Sequence, residues 1–101
     1  MSMTLAGYEF EGPIMNAGDL KQFLGVFAVI TVWEMSPVLI DIDSGENTRE
    51  SVKKHPRKVW RQLSKPVGHV FLTRYQNLED KEKRVSLVNK IRAEMDVPCG
   101  N

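Results

Sequence analysis

Residues 25–33 read Gly-Val-Phe-Ala-Val-Ile-Thr-Val-Trp, a nearly continuous apolar run. β-Branched and aromatic side chains dominate it, which is typical of a β-strand. A turn at 34–37 separates it from a second apolar run, residues 38–42. Pro37 lies where that run begins, a position at which a strand tolerates proline. The two runs therefore predict a β-hairpin.

The segments outside this hairpin predict one more strand and several helices. On the N-terminal side, residues 1–7 are expected to be a flexible N-terminus, residues 8–13 an extended segment, and Asn16 or Asp19 the cap of a short helix that Gly25 ends. On the C-terminal side, we predict a helix over 48–55 capped by Asn47, a second helix opened by Pro56, a strand over 67–75, and a helix over 78–95 capped by Asn77.

Together these elements predict an α/β domain of the α+β kind, with a small, mainly antiparallel three-stranded sheet flanked by helices. The apolar stripe of the last helix is expected to comprise Leu78, Val85, Leu87, Val88, Ile91 and Met95. The length of 101 residues suits one domain over residues 1–101.

Bulk properties narrow the class of protein. The single cysteine, Cys99, cannot form an internal disulfide, and no basic segment followed by an apolar stretch opens the chain as a secretion signal would. The longest apolar run has eight residues and is interrupted by Thr31, whereas a membrane helix needs about 20. We expect a cytoplasmic protein without membrane contact.

The net charge of +1 conceals an uneven distribution. Residues 1–47 hold seven acids and one lysine, whereas residues 48–65 hold seven cations and one glutamate. Such a basic cluster attracts phosphates or an acidic protein surface, although basic helix faces are often merely solvated. The candidate binding residues of this cluster are Arg49, Lys53, Lys54, Arg57, Lys58 and Arg61.

Three short motifs carry a resemblance to a known family. Gly25-Val26-Phe27 opens the first hairpin strand, Asp41-Ile42-Asp43 ends the second, and Arg49 follows Asp43 by six residues. In this order and spacing, residues 8–101 resemble the GIY-YIG nuclease domain, whose first strand opens with Gly-Ile-Tyr and whose second carries Tyr-Ile-Gly. The tail through Pro98-Cys99-Gly100, followed by Asn101, is similar to one of its subgroups. The resemblance implies a three-stranded antiparallel sheet flanked by helices.

The departures from the family pattern predict a loss of catalysis. Phe27 stands where the family has the tyrosine that helps to activate water, and phenylalanine has no hydroxyl. Asp41 and Asp43 replace the second tyrosine and its glycine, and Asp43 would repel a phosphate. Val88 aligns with the metal-binding glutamate, and a valine cannot ligate Mg²⁺. We therefore expect no cofactor, no bound metal and no cleavage by the family mechanism.

Other residues allow two interpretations each. Trp60 is expected to pack against the sheet, with stacking on a base as the alternative. His55 is an exposed histidine or a catalytic base, and His69 is expected to be structural. Asp41 and Asp43 point the same way on a strand, which gives a negative patch or a weak metal site. Cys99 is treated as incidental.

Three functions follow from these observations. The preferred hypothesis is a non-catalytic inhibitor, adaptor or other protein-binding module with a protein partner, because acidic and basic faces on one small domain suit such a role or self-association into a homo-oligomer. The alternatives are a nucleic-acid-binding protein that uses residues 48–65, and an active metal-dependent endonuclease whose rearranged site contains Arg49, His55 and the Asp41/Asp43 pair.

Overall fold

Five antiparallel strands form one sheet in the computed structural model, which describes residues 2–55 and 57–99. The order of the strands across the sheet is β1-β2-β5-β3-β4. The strands are β1 (Ser2–Leu5), β2 (Tyr8–Ile14), β3 (Gly25–Trp33), β4 (Ser36–Gly45) and β5 (Val70–Arg74). The helices are α1 (Thr48–Lys54), α2 (Arg57–Leu63) and α3 (Lys81–Glu94), and Ala17–Asp19 forms one 3-10 turn.

The α+β class is confirmed, but the predicted number of three strands is wrong. The predicted strands are β3, β4 and β5, with β3 between the other two, and the hairpin of β1 and β2 extends this sheet beside β5. Residues 2–5, expected to be flexible, form β1 because they pair with β2 and bury Leu5. The described residues do not include Met1, Pro56, Gly100 and Asn101. The predicted opening of the second helix at Pro56 and the family resemblance at Asn101 therefore lie outside them.

The sheet has a buried cluster on each face. Because side chains alternate along a strand, Val26 and Ala28 of β3 point to one face and pack under α3. Phe27 and Val29 point to the other face and pack with Trp60 of α2 and with α1. No helix in the part of the chain that the structure describes is long and apolar enough to cross a membrane.

Helix α3 differs from its predicted boundaries and stripe. Asp80, not Asn77, caps it, and its side chain accepts a hydrogen bond from the Glu82 N–H at 3.0 Å. The buried positions are Arg84, Leu87, Val88 and Ile91, spaced i, i+3, i+4 and i+7 on one helix face. Val85, predicted in the stripe, is 41% exposed. Arg84 can be buried because its Nη1 donates to the carbonyls of Leu78 and Glu79.

Helix α1 begins where the sequence predicts. The Asn47 side chain accepts a hydrogen bond from the Glu50 N–H at 3.2 Å, which confirms it as the cap. The helix expected within residues 16–24 is only a 3-10 turn, because residues 20–24 instead dock on α1. The carbonyl of Phe23 accepts both the N–H and the hydroxyl of Thr48, at 2.9 and 2.7 Å.

Candidate functional site

Asp41 is the centre of a buried polar cluster on the α1/α2 face of the sheet. Its side chain is almost inaccessible, and its Oδ2 accepts a hydrogen bond from Trp60 Nε1 at 2.9 Å. Its Oδ1 accepts the Ile42 N–H at 2.8 Å and faces Arg92 Nη2 at 3.3 Å. A buried carboxylate needs such partners because burial removes its hydration. Both oxygens of Asp41 are therefore engaged within the protein.

Arg92 connects Asp41 to the edge of the sheet. Its Nη2 donates to the Ile42 carbonyl at 2.6 Å, and its Nη1 donates to the Cys99 carbonyl at 2.9 Å. The Cys99 N–H donates to the Ile40 carbonyl at 3.1 Å. These bonds occupy two carbonyls of the edge strand β4 that would otherwise be available to another chain. Burial and the nearby Asp41 carboxylate raise the pKa of the Cys99 thiol, and Arg92 opposes them.

This cluster was not foreseen from the sequence, although one signal was present. Asp41 lies between Ile40 and Ile42 in an apolar strand, and a carboxylate in such a position requires a cation or hydrogen-bond donors nearby. That signal does not identify Arg92, which is 51 residues away.

Asp43 holds His55, the residue that ends α1. Asp43 Oδ2 lies 2.9 Å from His55 Nε2, and His55 Nδ1 lies 2.6 Å from the Ser51 carbonyl. The imidazole meets the Phe27 ring edge-on at 5.1 Å between centroids. His55 is thus half-buried and fastens the end of α1 to β4, whereas the sequence suggested an exposed side chain or a base.

Trp60 packs against the sheet, as expected, and does not offer a stacking surface. It is fully buried, and its ring contacts His69 and Phe71 at 5.7 and 6.0 Å between centroids. His69 belongs to the same aromatic group. Burial lowers the pKa of His69, and the charges of Arg61 and Arg57 lower it further.

The family-motif positions do not converge on one site. Phe27 and Asp43 lie on the α1/α2 face, whereas Val88 packs in the cluster on the α3 face. Arg49 is half-buried, and its Nε donates to the Leu20 carbonyl at 2.8 Å. The sheet therefore separates Val88, the position aligned with the metal-binding glutamate, from Phe27 and Asp43.

Gly25, the first motif glycine, has a packing reason for its identity. A Cβ at this position would lie 2.6 Å from Tyr75 Cδ1 and 2.7 Å from the Arg74 carbonyl oxygen, so a larger residue would displace the Tyr75 ring. The Tyr75 hydroxyl is buried and makes no hydrogen bond within residues 2–55 and 57–99. The phenol ring of Tyr75 thus lies near Gly25, although Tyr75 is not one of the family-motif positions.

The basic cluster of residues 48–65 differs from the motif positions in its exposure to solvent. Five of its six candidate residues are exposed, at the end of α1 and along α2, and none of them forms an ion pair within the described ranges. The sixth, Arg49, is the half-buried residue described above. We call the exposed set the basic face: Lys53, Lys54, Arg57, Lys58 and Arg61.

Comparisons with known proteins give no relative for this chain: no family model, no curated protein and no solved structure matches it.

Within the described residues, no group of three or more histidine, cysteine, aspartate or glutamate side chains is arranged to hold a metal ion.

Proposed function

We propose that this chain is a non-catalytic binding protein on a scaffold that resembles the GIY-YIG nuclease domain, and that its basic face binds an acidic protein surface. The observation that carries the proposal is the contrast between the basic face and the motif positions. Five cations are exposed without a carboxylate partner among the described residues, whereas Asp41 and Asp43 are engaged by Trp60, Arg92 and His55.

The state of the motif residues supports a non-catalytic role. Phe27 is fully buried and has no hydroxyl to exchange a proton. Val88 offers no oxygen ligand and lies across the sheet from Phe27. The two aspartates that would have to replace the missing groups already hold structural partners. Water activation and metal binding thus both lack a residue at the positions where the family supplies them.

The distribution of charge supports a protein partner. Residues 1–47 have a net charge of −6 from seven acids and one lysine. A long nucleic acid would have to avoid this acidic part, because its affinity comes chiefly from neutralised phosphates. A compact acidic patch on a protein meets the basic face alone, and complementary charge of this kind fixes orientation and accelerates association.

Two charge variants test the proposal. Lys53→Ala, Arg57→Ala and Arg61→Ala together remove three cations from the basic face. Lys81→Ala, Lys83→Ala and Lys90→Ala remove three exposed cations from α3, with the same change in net charge. A protein partner identified by mass spectrometry after capture from the native host should bind the second variant with wild-type affinity and the first much more weakly. Equal affinity for both variants would remove the basic face from the interface.

Nucleic-acid binding is the second candidate, favoured by the same five exposed cations. It predicts an affinity for DNA or RNA whose logarithm falls linearly with the logarithm of salt concentration, with a slope of several units for several phosphate contacts. The slope should become shallower in the basic-face variant and stay unchanged in the α3 variant. Binding that is absent, or insensitive to salt, excludes this candidate.

A further inference from the structure

The tip of the hairpin formed by β3 and β4 exposes a group of large apolar side chains. Met35 is 96% exposed, Trp33 is 62% exposed, and Val32 and Val38 are 45% and 40% exposed. Isolated apolar side chains are common on protein surfaces, but several together at one end of a molecule are typical of an interaction site. We call Trp33, Met35 and Val38 the apolar tip; Val32 alternates with Trp33 and points to the opposite face of β3.

A tight two-residue turn closes the hairpin at the apolar tip. Glu34 and Met35 have φ values of 50° and 65°, so both turn residues occupy the left-handed region. Such a two-residue turn favours Asn-Gly, because residues with larger side chains are strained there. The strands nevertheless pair up to the turn, with Trp33 opposite Ser36 and Val32 opposite Pro37.

The apolar tip lies near the C-terminal end of α2, where Arg61 is the residue of the basic face in the last turn. Thr31, two residues before Trp33 on the same side of β3, donates its hydroxyl to the Gly68 carbonyl at 2.7 Å. The Gly68 N–H in turn donates to the carbonyl of Ser64, directly after α2, at 2.8 Å. Leu63 and Val67 in this region are 46% and 66% exposed. The two surfaces are therefore close to each other at the end of α2.

We infer that the apolar tip and the basic face form one interface, and that its occupant is an acidic protein segment carrying large apolar side chains. This inference rests on the proposed function and specifies the partner's chemistry. The cations select acidic groups, and the tip selects apolar side chains that a phosphate backbone does not offer. Tryptophan commonly dominates binding energy at interfaces, and methionine adapts to irregular apolar surfaces.

A second copy of the chain is a poorer occupant. Sheet extension beside the apolar tip would use the edge strand β4, whose Ile40 and Ile42 carbonyls already accept hydrogen bonds from Cys99 and Arg92. Near the tip, Pro37 has no N–H to offer a neighbouring strand. Both features protect the edge against pairing with another sheet.

Selection from a displayed random peptide library tests the inference directly, because it requires no identified partner. Peptides selected on the wild-type protein should combine acidic residues with tryptophan, phenylalanine or leucine. Trp33→Ser with Met35→Ser, the tip variant, should weaken the selected peptides by about tenfold or more. Val85→Ser, which removes a 41% exposed apolar side chain from α3, is the matched control and should leave affinity unchanged. Circular dichroism verifies that both variants are folded.

The outcomes separate this inference from the proposed function. Wild-type affinity in the tip variant, with affinity lost in the basic-face variant, overturns the inference and leaves the proposed function intact. The opposite pattern overturns the proposed function, together with the acidic character assigned here to the occupant. Selected peptides that lack either acidic or large apolar residues also overturn the inference. So does a concentration-dependent dimer in sedimentation experiments that the tip variant abolishes, because the occupant is then a second copy.

Discussion

The Asp41 cluster and the basic face both contain charged side chains, yet the environments of these charges are opposite. In the cluster, the carboxylate of Asp41 meets the indole of Trp60 and the guanidinium of Arg92, and all three are mostly or fully buried. On the basic face, five cations face solvent without an ion-pair partner in the described part of the chain. Removing one partner from a buried polar cluster destabilises the fold because it leaves another group unpaired, whereas exposed charges contribute little to stability and remain available for binding.

This comparison predicts its largest effect at Trp60. Trp60→Ala should lower the free energy of unfolding by about 3–5 kcal/mol, because it leaves a large cavity and removes the indole donor from buried Asp41. Chemical denaturation measures the change. Val59→Ala, at a neighbouring position that is 39% exposed, is the control and should cost less than about 1 kcal/mol. Similar losses in the two variants would contradict the buried position of Trp60.

A smaller effect is expected at Asp41 itself. Asp41→Asn keeps the shape of the side chain but removes its charge and one acceptor, so a donor from Trp60, Ile42 or Arg92 loses its bond. The free energy of unfolding should fall by about 1–3 kcal/mol. Asp19→Asn, at an exposed acid, should have almost no effect in the same denaturation series. An unchanged stability for Asp41→Asn would show that the cluster is not held by this carboxylate.

The basic face should have the opposite balance of stability and binding. The variant with Lys53→Ala, Arg57→Ala and Arg61→Ala should change the free energy of unfolding by no more than about 0.5 kcal/mol per site, because exposed side chains lose few contacts. Its partner affinity should nevertheless fall, whereas the α3 variant keeps both properties. Thermal unfolding and titration calorimetry on the same samples compare the two quantities. A strongly destabilised basic-face variant would contradict the comparison.

The smallest expected effect is a change in the titration of His69. Burial, Arg61 and Arg57 hold the pKa of His69 below its ordinary value of 6.5, so Arg61→Gln should raise this pKa toward 6.5. Because the folded pKa is lowered, the unfolded chain takes up the proton first as the pH falls. The stability contribution is complete above 6.5 and is lost as the pH falls through the folded pKa.

Nuclear magnetic resonance titration of the His69 ring measures this shift. Lys58→Gln removes the same charge from a position that is not among the causes of the His69 shift, and it should move the pKa less than Arg61→Gln does. Equal shifts of the pKa in the two variants would contradict the placement of Arg61 near the ring of His69.

The parts of the fold that depend on local chemistry could be predicted from the sequence. The β-branched run of β3 and the Asn47 cap of α1 lie where their residue types indicate. The failures depend on tertiary contacts. Residues 2–5 form a strand because Leu5 packs in the core, and Arg84 lies on the buried face of α3, where its Nη1 donates to the carbonyls of Leu78 and Glu79.

The candidate site was predictable to a similar degree. The basic face could be found from charge density alone, because exposed cations are the ordinary state of such a run. The engagement of Asp41 with Arg92, and the position of Val88 across the sheet, depend on how α3 packs against the strands. The apolar tip was missed because Val32 and Trp33 continue the apolar run of β3. The sequence does not show that the buried part of this strand ends before them.

We propose that the motif region has a structural role and that the chain does not cleave nucleic acid. Incubation of the purified protein with supercoiled plasmid, in Mg²⁺ and separately in Mn²⁺, tests this most directly. We expect the plasmid to remain supercoiled at all protein concentrations. Nicking that disappears in Arg49→Ala, or in Tyr75→Phe, would show that a rearranged catalytic site exists and would contradict the account.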